Sequence, residues 1–409
     1  MAFLDIDALV GLFPGQGGYR KGALASFWDE GDPVLRGVLA EIDEVALRVL
    51  GTDIGSQIFG PAAAIPEGPE LFQLAVYTVS VATYELLRVR EVEFGLLVGH
   101  SMGEFAALVA GGALTVAQGA EMLCHRIAAT AGTSGGMLSL SCDVRRVEQI
   151  LDLAAEPHVV VAVVNGRSQV VVSGPEQGLA RIGAVADALG LPAVRLPAPA
   201  PFHNDLMSGV RTEVVKRLGR VRCAPTRTPV YSPILGRCYR DDDDLVDILG
   251  MHLVTPVRFD TTIARLHEAG ARVFMEVGAG RTLTGLVKAA HPQVVILPAL
   301  TEPAAVDTED TDEPVDVPSP QPSTTDEEVM AQLRAIYAAA LDYPEDVLTA
   351  DAHLEAELGV DSVKRIQLLG RVGRHFGLEP SAVNGIADHE TLGDIAGQVI
   401  ASLEASGGR

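Results

Sequence analysis

The chain has 409 residues, 48% of them apolar, and a formal net charge of −23 at pH 7. This length exceeds what one ordinary compact core contains, so we expect two or three folded units. The strong negative charge argues against nucleic acid and anionic membranes as partners, because both bind basic surfaces.

Signals for targeting, membrane insertion and disulfide bonding are weak. No apolar run reaches the ~18 residues of a membrane-spanning helix, and the N-terminal residues lack the basic segment of a signal peptide. The four cysteines are scattered without a C-x-x-C pair, which favours neither a metal site nor a disulfide framework. We therefore expect a cytoplasmic protein without membrane contact.

The first apolar run, residues 8–13, predicts a buried strand and leads into the glycine-rich turn Pro14-Gly15-Gln16-Gly17-Gly18. So many glycines indicate that the backbone approaches another group closely. A phosphate loop is a poor alternative, since no Gly-Lys-Ser/Thr follows. Apolar residues at helical spacing over 34–50 and 71–89 alternate with strands, which predicts a mainly parallel sheet with helices on both faces.

The motif Gly99-His100-Ser101-Met102-Gly103 separates an apolar run from an Ala/Leu-rich helical segment. Strand, sharp turn and helix are the setting of a G-x-S-x-G nucleophile elbow. Gly99 and Gly103 would let strand and helix crowd around the serine. The pattern predicts Ser101 as a nucleophile at a helix N-terminus, where N–H groups stabilise an oxyanion. A chance pentapeptide in a loop is the alternative.

Two further residues are candidates for the same chemistry. Thr115-Val-Ala-Gln118 has capping-box spacing and predicts a helix from near Val116 past Arg126. Arg126 is either a surface arginine or a guanidinium aimed into a cleft to bind a carboxylate. His203 ends a proline-framed segment and is the best candidate for the base of Ser101, although a lone histidine is more often structural.

The remaining sequence predicts three kinds of segment. Residues 135–200 alternate in β-α-β-β-α-β order, which predicts a ferredoxin-like subdomain inserted into a domain over 1–300. Residues 301–328 contain ten Asp or Glu, five Pro and no Lys or Arg, so an acidic linker is predicted over 301–325. Residues 326–409 predict a helical bundle, with Asp361 as an N-cap and Ser362 in the first helical turn. A surface serine beside a cap is the alternative there.

Seven motifs occur in the order known from one enzyme family. They are Phe13-Pro-Gly-Gln-Gly17, Gly99-His-Ser-Met-Gly-Glu104, Arg126, Val164-Asn-Gly with Gln169-Val-Val-Val-Ser-Gly174, Pro201-Phe-His-Asn-Asp-Leu-Met207, Thr255-Pro-Val-Arg-Phe259 and Glu276-Val-Gly-Ala-Gly-Arg-Thr-Leu-Thr-Gly285. With them, residues 8–300 resemble the malonyl-CoA:acyl-carrier-protein transacylases and the acyltransferase domains of polyketide and fatty acid synthases. Leu358-Gly-Val-Asp-Ser362 resembles the phosphopantetheine attachment motif of acyl carrier proteins.

The resemblance implies an α/β fold: an α/β-hydrolase-like large subdomain with a ferredoxin-like insertion, followed by a four-helix-bundle carrier domain. It also implies site roles. His203 would deprotonate Ser101, with its own orientation set largely by backbone carbonyls, and the backbone N–H groups of Gln16 and Met102 would bind the oxyanion. The residues implied to bind substrate are Arg126, which would pair with the free carboxylate of a malonyl-type group, and His100, Phe202 and Thr130.

The resemblance further implies a ping-pong acyl transfer in polyketide or fatty acid biosynthesis. The donor would be an acyl-CoA, with malonyl-CoA first among them, and the acceptor an acyl carrier protein, either the chain's own Ser362 or a separate carrier in a synthase module. The cofactor would be covalent 4′-phosphopantetheine on Ser362, without a metal. An editing hydrolase that clears carriers, or a transferase for another acyl unit, is the alternative.

Two positions depart from the family pattern. Thr130 replaces a frequent methionine, and His252 replaces a glutamine that braces the catalytic histidine, so His252 is expected to take over that support. Phe202 and Met102, in contrast, resemble the residues of malonyl-selecting domains.

Overall fold

The computed structural model describes residues 8–20, 22–59, 69–219, 221–300, 326–341, 348–350, 368, 372, 375–376 and 391–407. The chain divides into two compact units, Met1–Thr308 and Glu309–Arg409. Ser362 and the whole predicted linker over 301–325 lie outside the described residues, so the predicted boundaries at 300–301 and 325–326 stay predictions. Within the described ranges no helix is both long and apolar enough to cross a membrane.

Short strands of mostly buried residues build two sheets in the first unit. They are β1 Val10–Phe13, β2 Leu96–Gly99, β3 Gly136–Leu140, β4 Val160–Gly166, β5 Gln169–Gly174, β6 Ala193–Arg195, β7 Val230–Ser232, β8 Arg237–Cys238, β9 Val257–Arg258, β10 Val273–Glu276 and β11 Val295–Leu297.

Helices occupy most of the chain between the strands. They are α1 Ala25–Asp29, α2 Pro33–Leu50, α3 Gly55–Phe59, α4 Pro69–Val89, α5 Gly103–Ala110, α6 Val116–Thr130, α7 Val144–Ala154, α8 Glu176–Ala188, α9 Ser208–Leu218, α10 Leu245–Met251, α11 Phe259–Glu268, α12 Thr282–Ala290, α13 Asp326–Leu341 and α14 Leu392–Gly407, with short 3₁₀ turns at Gln16–Gly18 and Asp205–Met207.

The larger sheet has the order β11-β10-β1-β2-β7-β8. Every pair is parallel except β7 with β8, which confirms the predicted mainly parallel sheet. Neighbouring residues of one strand belong to different cores: Leu97 packs in one and Val98 in the other. Because side chains alternate across a strand, both faces of the sheet are covered.

The smaller sheet has the order β6-β3-β5-β4-β9. Its first four strands are antiparallel neighbours, and a separate core of residues such as Leu140, Ile150 and Ile182 packs them against α7 and α8. β9 joins β4 in parallel. β9 and β6 form opposite edges of this sheet. The segment that follows β6 nevertheless reaches residue 255, which precedes β9, because His203 contacts the Thr255 carbonyl, and the site forms there.

The second unit is described through two helices, α13 and α14, and a few residues between them. Val329, Leu333 and Tyr337 of α13 share a buried core with Ile395 and Val399 of α14. The other helices expected in a four-helix bundle lie outside the described residues, so the bundle stays a prediction.

Replacing Thr115 tests the start of α6, which carries Arg126. The Thr115 hydroxyl accepts from the Gln118 N–H at 3.1 Å, and the Gln118 side chain accepts from the Thr115 N–H at 2.9 Å, so the predicted capping box is present. We expect Thr115→Ala to lower the free energy of unfolding by about 1 kcal/mol, because an orphan N–H loses its acceptor. Urea unfolding measures this. Thr115→Ser keeps the acceptor and should unfold like the parent protein; equal losses in both variants would contradict the capping role.

Candidate active site

Ser101 lies in the sharp turn between β2 and α5, with a backbone φ of +53°. This left-handed conformation is uncommon for a residue with a Cβ. A Cβ on Gly103 would overlap the carbonyl oxygen of Phe13, and one on Gly99 would overlap the backbone of Glu104. The two glycines therefore let β2 and α5 approach β1 closely, and the strand, turn and helix expected around Ser101 are present.

His203 contacts the nucleophile directly. Its Nε2 lies 2.8 Å from Ser101 Oγ, and its Nδ1 lies 2.9 Å from the carbonyl oxygen of Thr255. A carbonyl only accepts, so Nδ1 carries the proton and Nε2 holds the lone pair that accepts from the Ser101 hydroxyl. His203 itself has φ +61° and is 2% exposed. Nucleophile and base are thus hydrogen-bonded and held by strained, buried backbone.

The environment keeps His203 neutral. Burial first, and then the positive charge of Arg126, lower the pKa of His203 to about 3, against a smaller opposing effect from the Thr255 carbonyl. A neutral imidazole is the form that can take a proton from serine. The site therefore holds a base that is ready over the whole physiological pH range.

The glycine-rich turn lies against the elbow. A Cβ on Gly15 would be 2.8 Å from the His100 carbonyl oxygen and 3.7 Å from Ser101 Cβ. Gln16 opens a 3₁₀ turn and Met102 directly precedes α5, so neither backbone N–H has an acceptor within its own helix. The Gln16 side chain donates to the carbonyl of Pro197 at 2.8 Å, in the segment that leads to His203. Among the described residues, both N–H groups therefore belong to turns near the nucleophile and lack an acceptor within their own helices.

Arg126 is a buried cation, 2% exposed, on the inner face of α6. Its guanidinium carbon lies 4.9 Å from the ring centre of Phe202 and 5.9 Å from that of Phe105. Its Nε and Nη1 have no hydrogen-bond partner among the described residues, and burial lowers its pKa to about 10. A buried charge with unused donors is costly unless an anion binds there.

The remaining predicted site residues, His100, Thr130 and His252, make polar contacts that do not involve Ser101 or His203. His100 Nε2 lies 2.8 Å from Asn165 Oδ1, and burial lowers the pKa of this histidine. The hydroxyl of buried Thr130 donates to the Ile127 carbonyl of its own helix at 2.9 Å. His252 lies beside Phe105 and Glu104, the latter at 3.4 Å.

A backbone carbonyl orients the ring of His203, as the resemblance implied, and it belongs to Thr255. Both ring nitrogens of His252 lack a hydrogen-bond partner among the described residues, so the expected support from His252 is not a hydrogen bond to His203. His252 begins the turn that carries Thr255, and, after burial and Arg126, it also helps to lower the pKa of His203. Sequence reasoning also assigned no role to Asn165, which contacts His100, or to Tyr239, which donates to Glu104. The one available signal for Thr255 was its place at the start of the Thr-Pro-Val-Arg-Phe motif.

Comparison with known proteins places the chain in a family. Residues 10–340 match the family model of the acyl transferase domain, and residues 331–399 match that of the phosphopantetheine attachment site. The chain belongs to the acyl transferase domain family. It is an acyltransferase with a phosphopantetheine attachment region at its C-terminal end, and such a region carries 4′-phosphopantetheine covalently on a serine.

Several relatives cover the first unit. The malonyl CoA-acyl carrier protein transacylase of Salmonella typhimurium is 30% identical over 307 residues, which are 72% of this chain and 96% of that protein. The spectinabilin polyketide synthase system protein NorA' of Streptomyces orinoci is 33% identical over 281 residues, but the match covers 68% of this chain and only 8% of that protein. The solved malonyl CoA-acyl carrier protein transacylase of Coxiella burnetii aligns with a TM-score of 0.65 at 26% identity, covering 73% of this chain and 95% of that one. This match shows a mixed α/β transacylase-like fold for the first unit.

Across the described ranges, no group of three or more His, Cys, Asp or Glu side chains could hold a metal ion.

The low pKa of His203 predicts a flat pH dependence of Ser101 reactivity. The neutral imidazole persists until the pH approaches about 3, so the rate of Ser101 sulfonylation by phenylmethylsulfonyl fluoride should change less than about twofold between pH 7.5 and 5.5. A histidine with the ordinary pKa near 6.5 would lose about tenfold over that range. Intact-mass time courses measure the rate, with Ser101→Ala as the blank. A tenfold fall would show that His203 titrates as an ordinary exposed imidazole.

Proposed function

We propose that this protein transfers a malonyl-type acyl group from coenzyme A to the thiol of a carrier-bound pantetheine, through an ester on Ser101. The observation that carries the proposal is the Arg126 guanidinium, buried close enough to His203 to lower its pKa and left with unused donors. An acyl group with a free carboxylate would supply the missing anion. Acetyl or longer alkyl groups would leave this charge buried and unpaired.

The pocket around Arg126 favours a planar anion. Phe202 and Phe105 flank the guanidinium and exclude water from it, which strengthens a charge-assisted pair. The carboxylate of a malonyl thioester is one methylene away from the reacting carbonyl. A bidentate pair with Arg126 would therefore fix the orientation of that carbonyl relative to Ser101.

In the first half-reaction His203 Nε2 takes the proton from Ser101 Oγ while Oγ attacks the thioester carbon. The carbonyl oxygen becomes an oxyanion, which the N–H groups of Gln16 and Met102 stabilise. The C–S bond then breaks, and the protonated His203 returns the proton to the departing coenzyme A thiolate. The Thr255 carbonyl holds the imidazolium in place throughout.

The second half-reaction runs the same steps towards the carrier. The phosphopantetheine arm supplies a thiol nucleophile when bound. His203 removes the proton of that thiol, the same two N–H groups hold the second oxyanion, and His203 then protonates Ser101 Oγ as the ester bond breaks. Both thioesters have similar energy, so the exchange requires no further cofactor.

We assign the phosphopantetheine to Ser362, in the motif Leu358-Gly-Val-Asp-Ser362 within the matched region 331–399. The acceptor is this chain's own carrier region, a separate carrier, or a carrier within a synthase module. We also propose the division 1–300, 301–325 and 326–409. The strand order of the smaller sheet supports a ferredoxin-like insertion over about 135–200 in an α/β-hydrolase-like body, with a four-helix bundle as carrier.

Intact-mass spectrometry of the pantetheinylated chain with malonyl-CoA tests this function. We expect one malonyl group on Ser101 at the earliest time point and a second on the thiol of the phosphopantetheine carried by Ser362. Ser362→Ala should retain the first and lose the second, and Ser101→Ala should lose both. Rapid release of free malonate without an acylated arm would favour an editing hydrolase. If no acyl mass is added at either serine, with malonyl-CoA or with other dicarboxylyl-CoAs, the proposal is refuted.

Replacing Arg126 tests the acyl preference. Arg126→Ala removes the cation that pairs with the carboxylate, so kcat/KM for malonyl-CoA should fall about 100-fold. The same variant should use acetyl-CoA as well as or better than the parent protein, because no charge remains buried. Stopped-flow acylation of Ser101 with both donors measures this.

Arg126→Lys is the matched variant for this measurement. It keeps the charge without the planar fork, so its kcat/KM for malonyl-CoA should be intermediate. Equal losses with malonyl-CoA and acetyl-CoA in Arg126→Ala would make Arg126 a structural residue.

A further inference from the structure

A buried polar cluster lies behind the nucleophile helix and is not used by the mechanism above. It consists of Glu104, Tyr239 and His252, the first and last of which are fully buried. The Tyr239 hydroxyl donates to Glu104 Oε2 at 2.6 Å, and His252 Nε2 lies 3.4 Å from the same oxygen. Glu104 Oε1 and both ring nitrogens of His252 have no hydrogen-bond partner among the described residues, so the 3.4 Å contact is a close polar approach without a hydrogen bond. Burial of such a cluster costs stability, so a role in the site is the better reason for its presence.

Glu104 belongs to the nucleophile side of the site. It lies in the first turn of α5, three residues after Ser101, and its N–H donates to the Ser101 carbonyl at 3.0 Å. A Cβ on Gly99 would overlap its backbone. The backbone of Glu104 is therefore part of the turn that presents the nucleophile, and its side chain extends from that turn to Tyr239 and His252.

His252 belongs to the base side of the site. It follows α10 and begins the turn 252–255. Within that turn the Leu253 carbonyl accepts from the Asn204 N–H at 3.2 Å, and the Thr255 carbonyl accepts from His203 Nδ1 at 2.9 Å. One turn thus holds both His203 and the residue after it, and His252 is its first residue.

Tyr239 fixes the carboxylate from a third direction. It follows β8, and its N–H donates to the Val230 carbonyl of β7 at 2.8 Å. The strand order places β7 directly beside β2, which carries the elbow. Tyr239 therefore holds Glu104 against the sheet on which Ser101 is mounted.

We propose that Glu104 is a positioning residue, whose carboxylate joins the nucleophile helix to the turn 252–255 and so sets the distance between Ser101 Oγ and His203 Nε2. The proposal rests on the Ser101–His203 pair acting as in the proposed function. Glu104 acts through Tyr239 and His252 and takes no part in the proton transfers.

Tyr239→Phe tests the inference with a readout that needs no acyl-CoA. We expect the rate of Ser101 sulfonylation by phenylmethylsulfonyl fluoride to fall about tenfold. The Glu104 carboxylate loses its hydrogen-bond donor, and the distance between Ser101 Oγ and His203 Nε2 is then no longer fixed. Tyr77→Phe is the matched control: Tyr77 is also buried, and its hydroxyl donates to the Val116 carbonyl at 2.7 Å, away from this cluster. It should lower the melting temperature and leave the sulfonylation rate unchanged.

The His252 variants provide a second test. His252→Gln places an amide N–H within reach of Glu104 and should stay within about threefold of the parent rate, whereas His252→Ala removes the polar neighbour of the carboxylate and should lose about tenfold. Parent-like rates in Tyr239→Phe and His252→Ala, with melting temperatures lowered as in Tyr77→Phe, would overturn the proposal. Normal sulfonylation of the unmodified protein without malonyl transfer would refute the proposed function and leave this inference standing.

Discussion

The close approach of α5 to the end of β1 is the constraint on which the site depends. Only glycine fits at position 103, because any Cβ there would overlap the Phe13 carbonyl. This contact brings the start of α5 and the glycine-rich turn after β1 together around Ser101. The nucleophile and both proposed oxyanion donors are thus set by backbone geometry, and side-chain flexibility has little influence on them.

Local sequence signals predicted the nucleophile elbow because its parts are near neighbours in the chain, whereas the oxyanion role of Gln16 came only from the family resemblance. The apolar run, the two glycines of the elbow and the Thr115–Gln118 capping box each act within a few residues, so the pattern alone shows strand, turn and helix. The mainly parallel sheet followed from the same alternation. The role of Arg126 was harder to predict, because neighbours such as Ile127 are compatible with a surface arginine and with a buried one. Only the packing of Phe202 and Phe105 around the guanidinium distinguishes the two.

The base side could not be predicted in the same way, because its contacts join distant segments. The Thr255 carbonyl lies 52 residues from His203 along the chain, and any residue type can supply a carbonyl, so composition carries no signal for it. The resemblance implied support by backbone carbonyls and by the titratable His252, but the composition could not show which residue supplies the carbonyl. The Tyr239–Glu104 contact, 135 residues apart, is hidden for the same reason.

The positive φ of Ser101 also limits which nucleophiles this scaffold accepts. At +53°, a β-branched side chain would clash with its own backbone, so threonine is excluded even though its hydroxyl has the same chemistry. Cysteine has no such branch and would fit the turn. The backbone of this elbow therefore accommodates a cysteine thiol as nucleophile far more readily than a threonine hydroxyl.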